Sequence, residues 1–191
     1  MEKLIQKIEN QIPLSEEAKN HLFTIAKETK VLKGSTLIRE GQYVKKTFFV
    51  TDGCLRAYSV DKNGKEHTLQ FAVKNWWISD FIAIYTGELA TLNIECLSDS
   101  TVIDFNSQEL NDIHTHFPEF EAFQRNNLER HVVSLHKRIL NQMQLTAEER
   151  YDLFLEQYPD IEQYTRNYHI ASYLGVTQQS LSRIRVTKTK K

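Results

Sequence analysis

The sequence predicts an α+β protein: N-terminal helices and an antiparallel β-roll of jelly-roll type, then one long helix, then a small all-α unit. Three observations carry this. Residues 31–105 fall into short runs rich in β-branched and aromatic side chains, punctuated by Gly34, Gly41, Gly53, Gly64 and Gly87, the texture of many short strands closed into a small barrel. Helical spacing of apolar residues holds on both sides of that region. The segment His169–Arg185 reads as two short helices joined by Gly175. The expected boundaries are residues 1–116 for the N-terminal helices and β-roll, 117–144 for the long helix and 145–191 for the helix-turn-helix unit.

Leu4, Ile5 and Ile8 form one stripe before a break at Pro13. A second helix carries Ala18, Leu22, Ile25 and Ala26, and Ser15 with the acids Glu16 and Glu17 marks its start. Helix is expected to reach Lys30. Thr47–Thr51, Asp52-Gly53 and Cys54–Val60 read as a hairpin, and Asp61-Lys-Asn-Gly64 turns the chain into the run His67–Val73. After Phe105, Ser107-Gln-Glu-Leu opens a short helix and Pro118 a long one. On the long helix Leu128, Val132, Leu135 and Ile139 follow a 4-3-4 spacing, the seam of a two-stranded coiled coil. Such a seam predicts a homodimer. Thr146-Ala-Glu-Glu then caps a helix whose buried stripe is Tyr151, Phe154, Leu155 and Tyr158, ending at Pro159.

In the last segment Ile170, Ala171 and Leu174 lie at helical spacing and Gly175 supplies the positive φ of a tight turn. Val176 plugs the angle between the helices, and Thr177 is the N-cap of the second one. Leu181 and Ile184 mark that helix's buried face and leave Gln178, Gln179, Ser182, Arg183 and Arg185 outward. Side chains of this kind hydrogen-bond base edges and phosphates, which makes double-stranded DNA the expected partner.

Charge agrees. The net charge of −1 conceals an asymmetry: from Ile161 onward six Lys or Arg stand against one acid, Glu162, while 18 of the 24 basic and 24 of the 25 acidic residues precede it. A basic end on an acidic body is a local footprint for a polyanion. Cys54 and Cys96 lack metal-ligand spacing, so no zinc ribbon, iron–sulfur cluster or disulfide framework is expected. No signal run and no apolar stretch of about 18 residues is present, which predicts a cytoplasmic protein that does not enter the membrane. A metal-dependent cupin-type enzyme would need clustered His and acid ligands in the barrel; His67 is the single histidine there, and His114 and His116, two apart, point to different helix faces. No metal, cofactor or catalytic residue is expected.

An antiparallel β-roll, a long helix and a C-terminal helix-turn-helix, in that order, resemble the Crp/Fnr family of bacterial transcription regulators over about residues 30–186. The specific matches are Leu145-Thr-Ala-Glu-Glu-Arg-Tyr and Ile170–Arg185, the latter most similar to the short Bacteroidetes-type members. Gly41, Asp52-Gly53-Cys-Leu-Arg and Asn63-Gly64-Lys-Glu stand where the family places its turns. The resemblance implies a homodimer reading a palindromic site through the major groove, with RNA polymerase as a further partner. It implies base contacts from Gln178, Gln179 and Arg183, and the chemistry agrees: Arg binds guanine O6 and N7, and Gln pairs with adenine N6 and N7. Arg166, Thr177, Ser180, Ser182 and Arg185 are then expected on phosphates, with the Lys188-Thr-Lys-Lys tail in place of a β-hairpin wing.

The sensor region departs from the family. Cyclic-nucleotide-binding members carry Gly-Glu, for the ribose hydroxyl, and about ten residues later Arg-Ser, for the cyclic phosphate. Here Ser79-Asp80 and Ala90-Thr91 occupy those places. A buried phosphate without a cation costs several kcal/mol, so a response to cyclic AMP is not expected. Ser79, Asp80, Ala90 and Thr91, with Trp76, Trp77, Phe81 and Tyr85 beside them, instead form a candidate pocket for a different, unknown small-molecule effector. The competing reading is a sensor or protein-binding module with a repurposed roll.

Overall fold

The computed structural model describes residues 1–189. Two helices, α1 (Glu2–Glu9) and α2 (Glu16–Ile25), open the chain. The Ser15 side chain accepts the Ala18 N–H at the start of α2. The chain then turns to strand earlier than expected, for β1 spans Ala26–Val31. Lys27, Glu28 and Lys30 are adequate helix formers, but pairing of Ala26–Val31 with residues 100–105 overrides that weak local preference.

The roll continues with β2 (Thr36–Ile38), β3 (Lys46–Asp52), β4 (Cys54–Val60), β5 (Glu66–Val73), β6 (Trp77–Ile78), a short helix α3 (Phe81–Thr86), β7 (Asn93–Cys96) and β8 (Ser100–Asn106). The strands form two four-stranded sheets, ordered β1-β8-β3-β6 and β2-β7-β4-β5. The expected Asp52-Gly53 hairpin is therefore corrected: β3 pairs with β6 and β8, and β4 with β5 and β7. Gly53 is a corner where the chain passes from one sheet to the other. It sits at φ +87°, and a Cβ there would lie 2.2 Å from Ser100 Oγ and 2.7 Å from the Asp99 carbonyl oxygen. The second turn pairs as expected, with β4 and β5 antiparallel around Asp61–Gly64.

Strand alternation distributes side chains among three cores. Phe48, Val50, Leu55, Ala57, Ala72, Ile94 and Val102 fill the space between the sheets. Phe49, Ile103 and Phe105 point the other way, onto Leu4, Ile8 and Leu22 of the N-terminal helices. Burial on both faces explains why Thr47–Thr51 reads as a continuous run rather than an alternating one. The other sheet turns Cys54 and Phe71 outward into the third core.

Five helices and one short turn of helix complete the chain: α4 (Ser107–His116), α5 (Glu119–Gln144), α6 (Ala147–Gln157), α7 (Ile161–Tyr164), α8 (Asn167–Leu174) and α9 (Gln178–Thr189). Phe120 and Phe123 anchor the start of α5 in the N-terminal core; beyond them the helix carries no fully buried side chain. Thr146 and Glu149 close a capping box on α6. None of the described helices is long and apolar enough to cross a membrane.

Candidate nucleic-acid interface

Helices α6, α8 and α9 pack around Tyr151, Phe154, Ile170, Leu174 and Leu181. Gly175 ends α8 at φ +69°, the Val176 N–H reaches the Ala171 carbonyl at 3.0 Å and the Gly175 N–H the Ser172 carbonyl at 3.3 Å. These two bonds make a Schellman motif, and only a residue tolerant of the left-handed region serves at its centre. Thr177 then caps α9, its Oγ1 accepting the Ser180 N–H at 3.1 Å. The angle between α8 and α9 is thus set by local chemistry that the sequence displays.

Leu181 is fully buried, and Gln178, Gln179, Ser182 and Arg183 are exposed. At about 100° per residue these four occupy one continuous arc of α9. Arg166, at the N-cap of α8, is exposed as well. Arg185 departs from its expected place. It lies four residues after Leu181, hence on the inner side of the helix. Its Nε donates to Tyr151 Oη at 2.9 Å, and its remaining nitrogens engage Asn167 and Glu162, so the guanidinium ties α9 to α6, α7 and α8 instead of facing outward. Lys188 likewise pairs with Asp152. Lys190 and Lys191 lie outside the described residues.

The helix-turn-helix is not suspended from the roll on a free hinge. Strand β5 is the edge of its sheet, and α8 lies along it. Ser172 Oγ accepts the Thr68 N–H at 2.9 Å and donates to the Glu66 carbonyl at 2.8 Å, and Tyr168 Oη accepts the Glu66 N–H at 3.2 Å. Side chains of α8 therefore satisfy edge groups that a further strand would otherwise pair. Phe71 of β5 meets Phe154, Tyr158 and Tyr173 at ring distances of 5.9, 5.9 and 5.5 Å. Arg138 of α5 stacks 4.2 Å over Tyr173 and donates to the Leu69 carbonyl. These contacts span up to 106 residues of sequence, and no local signal announces them.

Beside this junction Arg56, 1% exposed, is held by Glu95 at 2.5 Å and Glu66 at 2.7 Å. His169 packs next to them with Nδ1 3.9 Å from Glu66 Oε2, beyond hydrogen-bond reach. Burial first, then the Arg56 charge, press its pKa down to about 4. An unfolded histidine titrates near 6.5, so between about pH 6.5 and 4 the unfolded chain binds the extra proton. The stability that depends on neutral His169 is thus complete above about pH 6.5 and lost as pH falls toward 4. Across that window His169→Gln should flatten the decline in unfolding free energy by about 3 kcal/mol, read from denaturant curves at a series of pH values.

The structure brings Ser79, Asp80, Ala90 and Thr91 together, but as a closed cluster. Asp80 is fully buried. Its Oδ1 accepts the Ala83 N–H at 3.2 Å, capping α3, and its Oδ2 accepts the N–H groups of Thr91 and Leu92 at 2.7 and 2.9 Å and the Thr91 hydroxyl at 3.2 Å. Three of the four bonds converge on Oδ2, so the carboxylate is tied to the Thr91–Leu92 segment and to the start of α3. Ser79 Oγ donates to the Lys46 carbonyl, and buried Ala90 exchanges backbone bonds with Gly41 and Gln42. The neighbouring aromatics divide: Trp77 packs on Phe49 and Phe105, Trp76 on Tyr158, and Phe81 on Tyr85 and His131. Burial pushes the thiols of Cys54 and Cys96 up to about 12 and about 11, so both remain protonated packing groups.

Residues 28–116 match the family model of the cyclic nucleotide-binding domain. Solved structures extend the likeness through the helices. FixK2 from Bradyrhizobium japonicum is similar at a TM-score of 0.76 and 17% identity, covering 87% of this chain and 85% of its own. A putative transcriptional regulator of the Crp/Fnr family from Eubacterium rectale is similar at 0.72 and 18%, covering 95% and 88%. The chain has the Crp/Fnr fold. A CooA mutant from Carboxydothermus hydrogenoformans shares it at a TM-score of 0.68 and 20% identity, over 96% of this chain and 83% of that one. No curated protein sequence matches the chain. Within the Crp/Fnr fold the exposed arc of α9 belongs to the second helix of the helix-turn-helix, and the Asp80 cluster to the part of the roll covered by the cyclic nucleotide-binding match.

Proposed function

We propose that this chain is a DNA-binding transcription regulator that acts as a homodimer on a palindromic site and does not respond to cyclic AMP. The observation that carries this reading is the polar, exposed arc Gln178, Gln179 and Arg183 on a helix whose opposite face is locked by buried Leu181. These three side chains read base edges; Arg166, Thr177, Ser180 and Ser182 hold phosphates. Arg185 is assigned to organising the domain. Binding of a duplex containing the chain's own promoter region, followed by gel shift at moderate salt, tests it.

Dimerisation is supported by α5. Leu128, Val132, Leu135 and Ile139 are 42, 49, 38 and 56% exposed in the single chain, a contiguous apolar stripe that two copies would cover in coiled-coil fashion. Ile139→Glu should lower the sedimenting mass from two chains to one at micromolar concentration while leaving the melting temperature of the roll in place. A variant that still sediments as two chains would place the interface elsewhere.

The independence from cyclic AMP is supported by Asp80, which is fully buried and bonded to Ala83, Thr91 and Leu92, and by Ala90 where a cation would be required. Cyclic AMP at about 1 mM should leave the melting temperature unchanged. A gain of several degrees would mean that the roll does bind it, since a ligand at about 100 times its Kd adds roughly 2.7 kcal/mol.

A further inference from the structure

The apolar stripe on α5 is short for the work assigned to it. A heptad seam marks a self-sufficient coiled coil when it is sustained over about 3–4 heptads, whereas Leu128, Val132, Leu135 and Ile139 span about two. The next seam positions are polar: Arg125 on one side and, on the other, Gln142, whose amide donates to the Leu174 carbonyl at 3.2 Å. At their exposure in the single chain, the four seam side chains offer on the order of 350 Å2 per copy, against about 800 Å2 per partner in a stable interface. More surface must be covered for two chains to hold together.

Two exposed apolar patches flank the seam on opposite sides. On one side His131, roughly 70° around α5 from the seam, meets the Phe81 ring at 6.2 Å, and Phe81 in turn stacks on Tyr85. Helix α3 thus stands beside the seam, with Ile82 and Tyr85 half-exposed. On the other side Val133 and Leu140, also half-exposed, form with exposed His136 a row centred roughly 100° from the seam. A partner helix seated on the seam alone covers neither patch.

We propose that the two patches complete the dimer interface: α3 of each copy packs on the row Val133, His136 and Leu140 of the other copy's α5. This contact presupposes the homodimer and extends its interface beyond the seam. In a parallel pair sharing the seam, the two-fold axis sets the His131 flank of one helix against the His136 flank of its partner. The α3 that stands on the first flank is thereby carried over the apolar row on the second, and the same contact is made twice. Each patch needs an apolar cover. Rotation about the axis makes each the cover of the other, which is the self-complementarity that a closed two-fold contact requires.

The test is sedimentation equilibrium of the full chain, without DNA, over a range of micromolar concentrations. Tyr85→Glu, which sets a carboxylate against the apolar row, should raise the dimer dissociation constant at least about tenfold. Leu140→Glu should do the same from the opposite side. Phe23→Glu, at a comparably exposed apolar position on α2, should change nothing. Tyr85→Glu combined with His136→Lys should recover most of the loss, because the new charges pair between copies; a misfolded variant would not recover. A parent that sediments as two chains, with Tyr85→Glu and Leu140→Glu no weaker than Phe23→Glu, would overturn the added contact and leave the seam dimer standing. Weakening by Tyr85→Glu that the lysine leaves untouched would overturn it as well. A parent that sediments as one chain at every concentration would overturn both the added contact and the homodimer.

Discussion

Arg183→Ala should abolish most specific DNA binding while leaving the fold intact. Arg183 is exposed, so its truncation removes no buried contact. On DNA its planar fork would bind guanine O6 and N7 with two bonds, a contact worth about 1–3 kcal/mol. A dimer loses the contact in both half-sites, so the expected penalty is roughly 2–6 kcal/mol, or from about 30-fold to above 10⁴-fold in Kd. Arg183→Lys separates base reading from phosphate attraction. Lysine keeps the charge and loses the fork, so a base contact predicts a large loss in both variants. A phosphate contact predicts that the lysine variant binds nearly as well as the parent. Gel shifts with specific and scrambled duplexes at fixed salt read the difference, and unchanged melting curves show that folding is not involved.

Phe71→Ala should be the most damaging change to stability. Phe71 is fully buried on the outer face of β5 and holds three aromatic rings of the helical unit against the roll. Removing a buried phenyl ring costs about 3–5 kcal/mol, which for a chain of this length lowers the melting temperature by roughly 6–20 °C. The location adds a qualitative expectation. Phe71 joins the core shared by the β-roll and the helix-turn-helix, so the variant should also split one melting transition into two as the halves lose their coupling. A single sharp transition lowered by less than a few degrees would mean that the shared core contributes little.

That shared core also marks the limit of what the sequence displays. The helix-turn-helix was legible because its determinants are local: Gly175 takes the left-handed conformation, Thr177 caps the next helix, and Leu181 stands at helical spacing from Ile184. The stripe on α5 was legible for the same reason. The Gly53 corner was not, because Asp-Gly between two apolar runs has one appearance whether it closes a hairpin or carries the chain between sheets. What decides is the pairing of β3 with β8, some 50 residues away. Strand at Lys27–Lys30 was hidden likewise, since its polar residues acquire a strand conformation only by pairing with β8. Arg185 is legible only in part: composition suggests an outward cation, whereas its spacing from Leu181 puts it on the inner side of α9, where Glu162 and Tyr151 receive it. The Ser172 contacts with β5 join residues too distant in sequence for any periodicity to reveal.

The same geometry bears on control. In this structure Asp80 is a structural carboxylate that caps α3 and closes the loop at Thr91 and Leu92. The edge of β5 is where Ser172, Tyr168 and Arg138 fasten the helical unit to the roll.

The most direct test of the central claim is to recover and sequence genomic fragments bound by the purified protein, in parallel with Arg183→Ala. A homodimer reading DNA through α9 predicts one enriched inverted repeat whose half-sites lie about one helical turn apart, roughly 34–36 Å, and its disappearance from the variant's fragments. The absence of any enriched repeat, or the same repeat recovered equally by Arg183→Ala, would contradict it.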